Sequence, residues 1–167
     1  MLGGRDTMAK STVAIITDSA SDIPPDAAKR LGITIVPVIV SFGSESFKVN
    51  EELSMDQFWK RLTAPGAPFP KTAAPPPAAF TAAYDKAFAG GAKEIVSVHV
   101  ASKLSATYRN AEIAAADHPQ SKNIHLVDTA TASAAEGLLV ARAYHRAEEG
   151  WKAPQIVAEL GELIPKT

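Results

Sequence analysis

Short β-branched runs alternate with helix-patterned segments along most of this chain, and that alternation restricts its fold more than any other feature. Val13-Ala14-Ile15-Ile16-Thr17, Ile33 to Val40, Glu94 to Val100 and Ile124 to Val127 read as strands, because short, nearly continuous apolar runs suit strands buried on both faces. Helical stretches fall between and after them. Pro24-Pro25 opens one that runs to Leu31 and stops at Gly32, since proline is tolerated in a first turn. Ala78 to Ala89 carries Phe80, Tyr84 and Phe88 at helical spacing, a stripe suited to core packing. Further helices are expected from about Ala106 to Asp117, after Thr131 to about Glu149, and from Pro154 to Leu163. This order implies an α/β fold: a mostly parallel sheet flanked by helices, a Rossmann-like three-layer sandwich.

Several segments stand outside the alternation. Residues 1–12 are polar and patternless and are expected to be a disordered leader. Pro37 marks its strand as an edge or a bulge. Glu45 to Val49 follows a turn at Phe42-Gly43-Ser44 and suits an extra antiparallel strand. Ser54-Met55-Asp56-Gln57 fits a capping box, with Ser54 as N-cap and Gln57 reaching back. The helix it opens should run to about Thr63 and bury Phe58 and Leu62. Ala64 to Pro77 holds six prolines, which excludes regular structure there. We read it as a rigid loop over the domain rather than a linker, because neither flank makes a domain alone.

Composition removes several functions. At 167 residues, 46% hydrophobic and 21% charged, the chain suits one domain with a full core. Lys+Arg 17 against Asp+Glu 18, a net charge of −1, gives no basic field for nucleic acid or an anionic membrane. The absence of cysteine excludes disulfides, thiolate catalysis and Cys-ligated zinc. No apolar run approaches the ~18 residues of a membrane span, so no membrane insertion is expected. Met1-Leu2-Gly3-Gly4-Arg5-Asp6 lacks a signal-peptide pattern, and a cytoplasmic location is the expectation.

Hydroxyl-rich segments close three of the strands. They are Thr17-Asp18-Ser19-Ala20-Ser21-Asp22, Ala101-Ser102-Lys103-Leu104-Ser105-Ala106-Thr107 and Asp128-Thr129-Ala130-Thr131-Ala132-Ser133. Pro70-Lys71-Thr72 adds a fourth from the proline-rich loop. Ligands of open α/β sheets bind outside the carboxyl ends of the strands, so these segments should converge on one crevice. Hydroxyls, amides and helix N-termini suit a small anion, and without a strong positive field a carboxylate fits better than a triphosphate. The same residues are also preferred helix caps. No G-x-S-x-G, G-x-G-x-x-G or Walker A pattern occurs. Asp18, Asp22 and Asp128 lie where a magnesium-dependent phosphohydrolase or phosphotransferase would hold its ion, but Asx-type loop bonds are the better account of Asp18 and Asp22, and Ala20 breaks any D-x-D pair. His99, His118, His125 and His145 show no ligand spacing. His99 and His125 read as structural, and Lys103 reads as a solvated loop lysine. No metal or cofactor is expected.

Four motifs, taken in order, resemble the DegV family. Ile16-Thr17-Asp18-Ser19-Ala20-Ser21-Asp22-Ile23-Pro24 resembles its opening signature. Pro70-Lys71-Thr72-Ala73-Ala74-Pro75 is similar to its P-x-T-S-x-P loop, and Val98 to Tyr108 to its S-S-x-L-S-G-T-Y segment. Leu126-Val127-Asp128-Thr129 through Gly137-Leu138-Leu139-Val140 is similar to its V-D-[ST] … G … L-V stretch. The resemblance runs from about Val13 to Leu163. It implies a protein that binds a long-chain fatty acid between two domains, a carrier rather than an enzyme, with a fatty-acid kinase as the partner that phosphorylates the carboxylate. Carried over by position, Thr72 and Ser102 would hold the carboxylate, Ser105 and Thr107 would shape that loop, and Asp18 and Ser19 would line the neighbouring strand end. Ala101, Ala73, Ala74 and Ala106 depart from the pattern, and the methyl of Ala106, in place of glycine, would restrict backbone approach to the ligand. On this resemblance residues 13–167 would correspond to the N-terminal α/β domain, with the second domain expected to be absent. An apolar face is therefore expected to be exposed, through which a dimer could form. An interaction domain completed by a partner chain is a further alternative.

Overall fold

The computed structural model describes residues 11–167. Strand β1 (Val13–Asp18) lies at the centre of a four-stranded parallel sheet. It pairs on one side with β2 (Thr34–Val36) and on the other with β6 (Glu94–His99), which pairs in turn with β7 (Ile124–Asp128). The expected disordered leader falls on residues 1–10, outside the described residues, and on Ser11 and Thr12. Thr12 is tied to the sheet, its carbonyl accepting from the amides of Lys93 (2.7 Å) and Glu94 (3.3 Å).

Alternate residues of each strand enter two separate cores, giving the three-layer α/β sandwich. Val13, Ile15, Val96, Val98 and Val127 pack against Leu139, Val140 and Ala143 of α5 (Ser133–Glu148) and Ile156 and Leu160 of α6 (Ala153–Leu163), with Ala28 of α1 (Pro25–Leu31). Ile16, Val36, Ile95 and Ile124 face Phe80 and Tyr84 of α3 (Pro77–Ala89) and Ala111, Ala114 and Ala115 of α4 (Thr107–Asp117). Gly32 ends α1 in the left-handed conformation (φ 70°) that a C′ position asks for.

The run from Ile33 to Val40 does not form one strand. It breaks at Pro37-Val38 into β2, in the parallel sheet, and β3 (Ile39–Phe42), the centre of a second sheet. A proline cannot donate to a ladder, so the chain leaves the first sheet there. The second sheet is antiparallel, with β4 (Glu45–Lys48) on one side and β5 (Lys71–Ala73) on the other. β5 corrects the reading of the proline-rich segment as wholly irregular. Between Pro70 and Pro75 four residues keep their amides, and three of them form an edge strand.

The capping box of α2 (Met55–Leu62) is present: the Gln57 amide donates to Ser54 Oγ at 3.2 Å, and the Ser54 amide donates to Gln57 Oε1 at 2.9 Å. No residue of α2 is fully buried, Phe58 and Leu62 being half-buried. The helix leans on a small satellite core of Val40, Phe42 and Leu53, too small to enclose it.

Candidate functional site

Crossovers from β1 run toward β2 and those from β6 run toward β7, so the strand order reverses between β1 and β6. Ligand crevices open at such reversals, beyond the carboxyl ends of the strands. At this position the buried Asp18 closes the gap. Its Oδ1 accepts the Ala20 amide at 2.9 Å, and its Oδ2 accepts the Val100 amide and faces His99 Nδ1, both at 3.1 Å. His99 continues the chain: Nε2 lies 2.6 Å from Ser97 Oγ, which lies 3.2 Å from the Tyr84 hydroxyl. Burial pushes the Tyr84 phenol up to about 12, against the lowering effect of Ser97. Serine, histidine and aspartate thus stand in the order of a hydrolytic triad. Ser97, His99 and Asp18 are all fully enclosed (0% exposed), and Tyr84 caps the serine, so the arrangement is a buried polar seam joining β1 to β6.

The other strand ends are organised by the same means. Ser19 Oγ accepts the Val38 amide at 3.0 Å and fixes the start of the crossing between the sheets. Asp128 Oδ1 accepts the amides of Ser102 and Ala130, each at 3.1 Å. Burial raises the Asp128 carboxyl, but the Ser102 hydroxyl and these two amides outweigh it and hold the group below its ordinary value. Ser105 and Thr107 meet at 2.8 Å through their hydroxyls, and Ser105 Oγ accepts the Thr107 amide at 3.2 Å, capping α4. Ser133 Oγ donates to Asp22 Oδ2 at 2.6 Å. Asp22, Ala130 and Ser133 all have positive φ (52°, 55° and 61°), so backbone strain gathers around the start of α5.

Five of the residues expected at the site therefore lie along one rim. Ser102 is exposed, Ser105 half-buried, and Asp18, Ser19 and Thr107 are buried beneath. Thr72 reaches this end of the sheet differently. It is exposed on β5 opposite Val40, and the loop that follows is fastened to α4 by Asn110 Nδ2, which donates to the Pro75 carbonyl at 2.9 Å. Among the described residues no hydrogen bond joins Thr72 to Ser102.

A family model described as "Uncharacterised protein, DegV family" matches residues 12–167. This chain belongs to the DegV family. A DegV domain-containing protein of Deinococcus radiodurans is 36% identical over 155 residues, which make up 93% of this chain and 54% of that protein. A Thermus thermophilus DegV protein, described for its fatty acid binding, shares 35% identity with a TM-score of 0.82, over 92% of this chain and 53% of its own. Bacillus subtilis DegV, described as a fatty acid binding protein, shares 25% identity with a TM-score of 0.83, over 93% of this chain and 54% of its own. The chain spans about half the length of the curated relatives it matches.

Within this DegV chain, Ala106 is exposed and has ordinary right-handed backbone angles (φ −72°, ψ −2°), so its methyl is accommodated without strain. Asp18 and Asp22, which a magnesium site would use, are engaged by amides, His99 and Ser133. Among the described residues no three His, Asp or Glu side chains gather as a metal site. One DegV site neighbour was not anticipated from the sequence. Glu136 of α5 is fully enclosed, with Oε1 accepting the Thr17 hydroxyl at 3.3 Å and Oε2 without a partner among the described residues. Burial, reinforced by Asp18 and by Asp22, pushes its carboxyl up to about 9, against the lowering effect of Thr17. The signal was available: Glu136 lies three, four and seven residues before Leu139, Val140 and Ala143, on the inward stripe of its helix.

Proposed function

We propose that this chain binds a long-chain fatty acid, with the carboxylate at the rim formed by Thr72, Ser102 and the Ser105–Thr107 cap, and the acyl chain leading away over apolar surface. The observation that carries the reading is the match, at 35% identity over 92% of the chain, to a DegV protein described for its fatty acid binding, taken with a rim of hydroxyls at the carboxyl end of the sheet. Asp18 and Ser19 act beneath the rim by holding the backbone that presents it. Exposed apolar side chains flank it in sequence: Leu104 (70% exposed) stands between Ser102 and Ser105, and Phe69 (86%) precedes β5, while Leu138 (71%) is exposed on α5. An acyl chain that removed such surface from water would gain about 0.8 kcal/mol per CH₂, leaving the hydroxyls to orient the head group. The remaining cover would come from a domain such as the other half of the relatives supplies, or from a second copy. The activity is that of a carrier, with a fatty-acid kinase as the partner that would take the exposed carboxylate.

The test is titration with oleate by calorimetry, beside mass spectrometry of lipid extracted from the purified protein. Replacing Thr72 with Val or Ser102 with Ala removes one hydrogen bond to a charged group, about 1.5–3 kcal/mol, and should weaken oleate roughly ten- to hundredfold. No oleate binding and no co-purified fatty acid, with this chain tested alone and together with a polypeptide corresponding to the other half of its relatives, would refute the reading.

A further inference from the structure

We propose that Glu136 is a neutral carboxylic acid whose Oε2 proton is shared with Asp18, and that this shared proton is the positioning element that holds the carboxylate-binding rim closed. The inference rests on the fatty-acid reading for its consequence, although not for its geometry.

Glu136 is enclosed completely, and among the described residues no donor is directed at its Oε2. An ionised carboxylate left in that state would carry an uncompensated buried charge. Asp18 lies within hydrogen-bonding reach, and its own oxygens already accept two amides and face an imidazole nitrogen. Donors directed at a carboxyl favour its charged form. The proton therefore belongs on Glu136, where Oε2–H can donate to Asp18 and Oε1 can accept from Thr17. That assignment gives every polar atom of the seam a partner.

The charged surroundings allow no other compensation. From β1 and the turn after it, Asp18 and Asp22 face Glu136, and both are acidic. From β6, His99 reaches it only through Asp18. On α5 itself the first cations are Arg142 and Arg146, more than a turn away and committed to Glu159 of α6. Among the described residues, none of the charges named as acting on Glu136 is a cation.

The rim depends on this contact because Asp18 holds two of its parts at once. Through the Ala20 amide it fixes the turn that carries Ser19, and through the Val100 amide it fixes the segment that leads to Ser102. Gly137, next to Glu136, brings α5 so close to the same turn that a β-carbon there would lie 2.5 Å from the Ser21 carbonyl oxygen. Ionising Glu136 would set two adjacent buried carboxylates against each other across that contact and separate the turn from the helix.

The experiment compares the wild-type chain with Glu136→Gln, whose amide can donate to Asp18 and accept from Thr17 at any pH. Denaturant unfolding is followed from about pH 5 to about pH 9, and over that range the wild-type folded-to-unfolded ratio should fall, relative to the variant, by up to about tenfold per pH unit. Parallel profiles for the two proteins would overturn the proposal. If the variant does not fold, carbon NMR of the Glu136 carboxyl in the wild type decides the matter: a protonated carboxyl at neutral pH supports the proposal, and titration in the ordinary glutamate range refutes it. Oleate affinity is measured in the same series, where the wild type should weaken at alkaline pH while the variant stays flat. Absence of oleate binding at every pH, by this chain alone and with a polypeptide corresponding to the other half of its relatives, would overturn the fatty-acid reading and the role of the rim in it. Parallel unfolding profiles with oleate binding intact would overturn only the shared proton.

Discussion

Gly137→Ala sets helix propensity against packing, and the structure predicts which prevails. Gly137 lies inside α5, where alanine is favoured over glycine by about 1 kcal/mol on intrinsic propensity. An added β-carbon would lie 2.5 Å from the Ser21 carbonyl oxygen and 3.6 Å from Ile23 Cγ1. The first contact is far inside van der Waals range, and the opposing atom is backbone. It cannot rotate away, because the Ser21 hydroxyl is bonded to the Asp18 carbonyl at 2.8 Å. Overpacking of this kind costs about 1–3 kcal/mol and more where backbone must move. We therefore expect a net loss of about 1–2 kcal/mol, with weaker oleate binding because the displaced turn carries Ser19. Gly161→Ala supplies the matched control. Gly161 is exposed in α6, and nothing lies within 4 Å of its added β-carbon, so the same substitution should stabilise by about 0.5–1 kcal/mol. Urea unfolding of both variants, with unchanged slopes, measures the two effects. If Gly137→Ala stabilised the protein as Gly161→Ala does, the close approach of α5 to the Ser21 turn would be refuted.

Ser54→Ala should cost about 1 kcal/mol by removing the capping box; since α2 buries no residue completely, the loss should appear as faster amide hydrogen exchange within α2. Glu159, held down to about 2 by hydrogen bonds from Arg146 and Arg142, contributes stability that is present above the ordinary carboxylate value and lost as pH falls toward 2. Glu159→Gln should accordingly destabilise at neutral pH by no more than about 1 kcal/mol, because solvent screens the network. Thermal unfolding should show this difference closing in acid, and a difference that persisted at low pH would assign Glu159 a packing role instead.

Apart from β5 and the break between β2 and β3, the order of strands and helices was legible in the residues alone, as were the capping box at Ser54 and the end of the sheet at which the hydroxyls gather. Each of these is a short-range property: alternation along a strand, an inward stripe on a helix, or a side chain reaching three residues along its own backbone. Within that frame, Pro37 marked an interruption but not the transfer of the chain to a second sheet. The four proline-free residues after Pro70 gave no sign of pairing with β3, because an edge strand depends on a partner about thirty residues away. What each polar residue does was decided by tertiary structure. Asp18 reads locally as a cap, and it is one, but its second oxygen is taken by residues 81 and 82 positions further on. Thr17 meets Glu136 across 119 residues. A carboxyl group keeps or loses its proton according to the water removed from it and the charges left facing it. Those surroundings exist only once β1, β6 and α5 have come together, so the sequence could place Glu136 on the buried face of its helix while folding alone set its protonation and its partner.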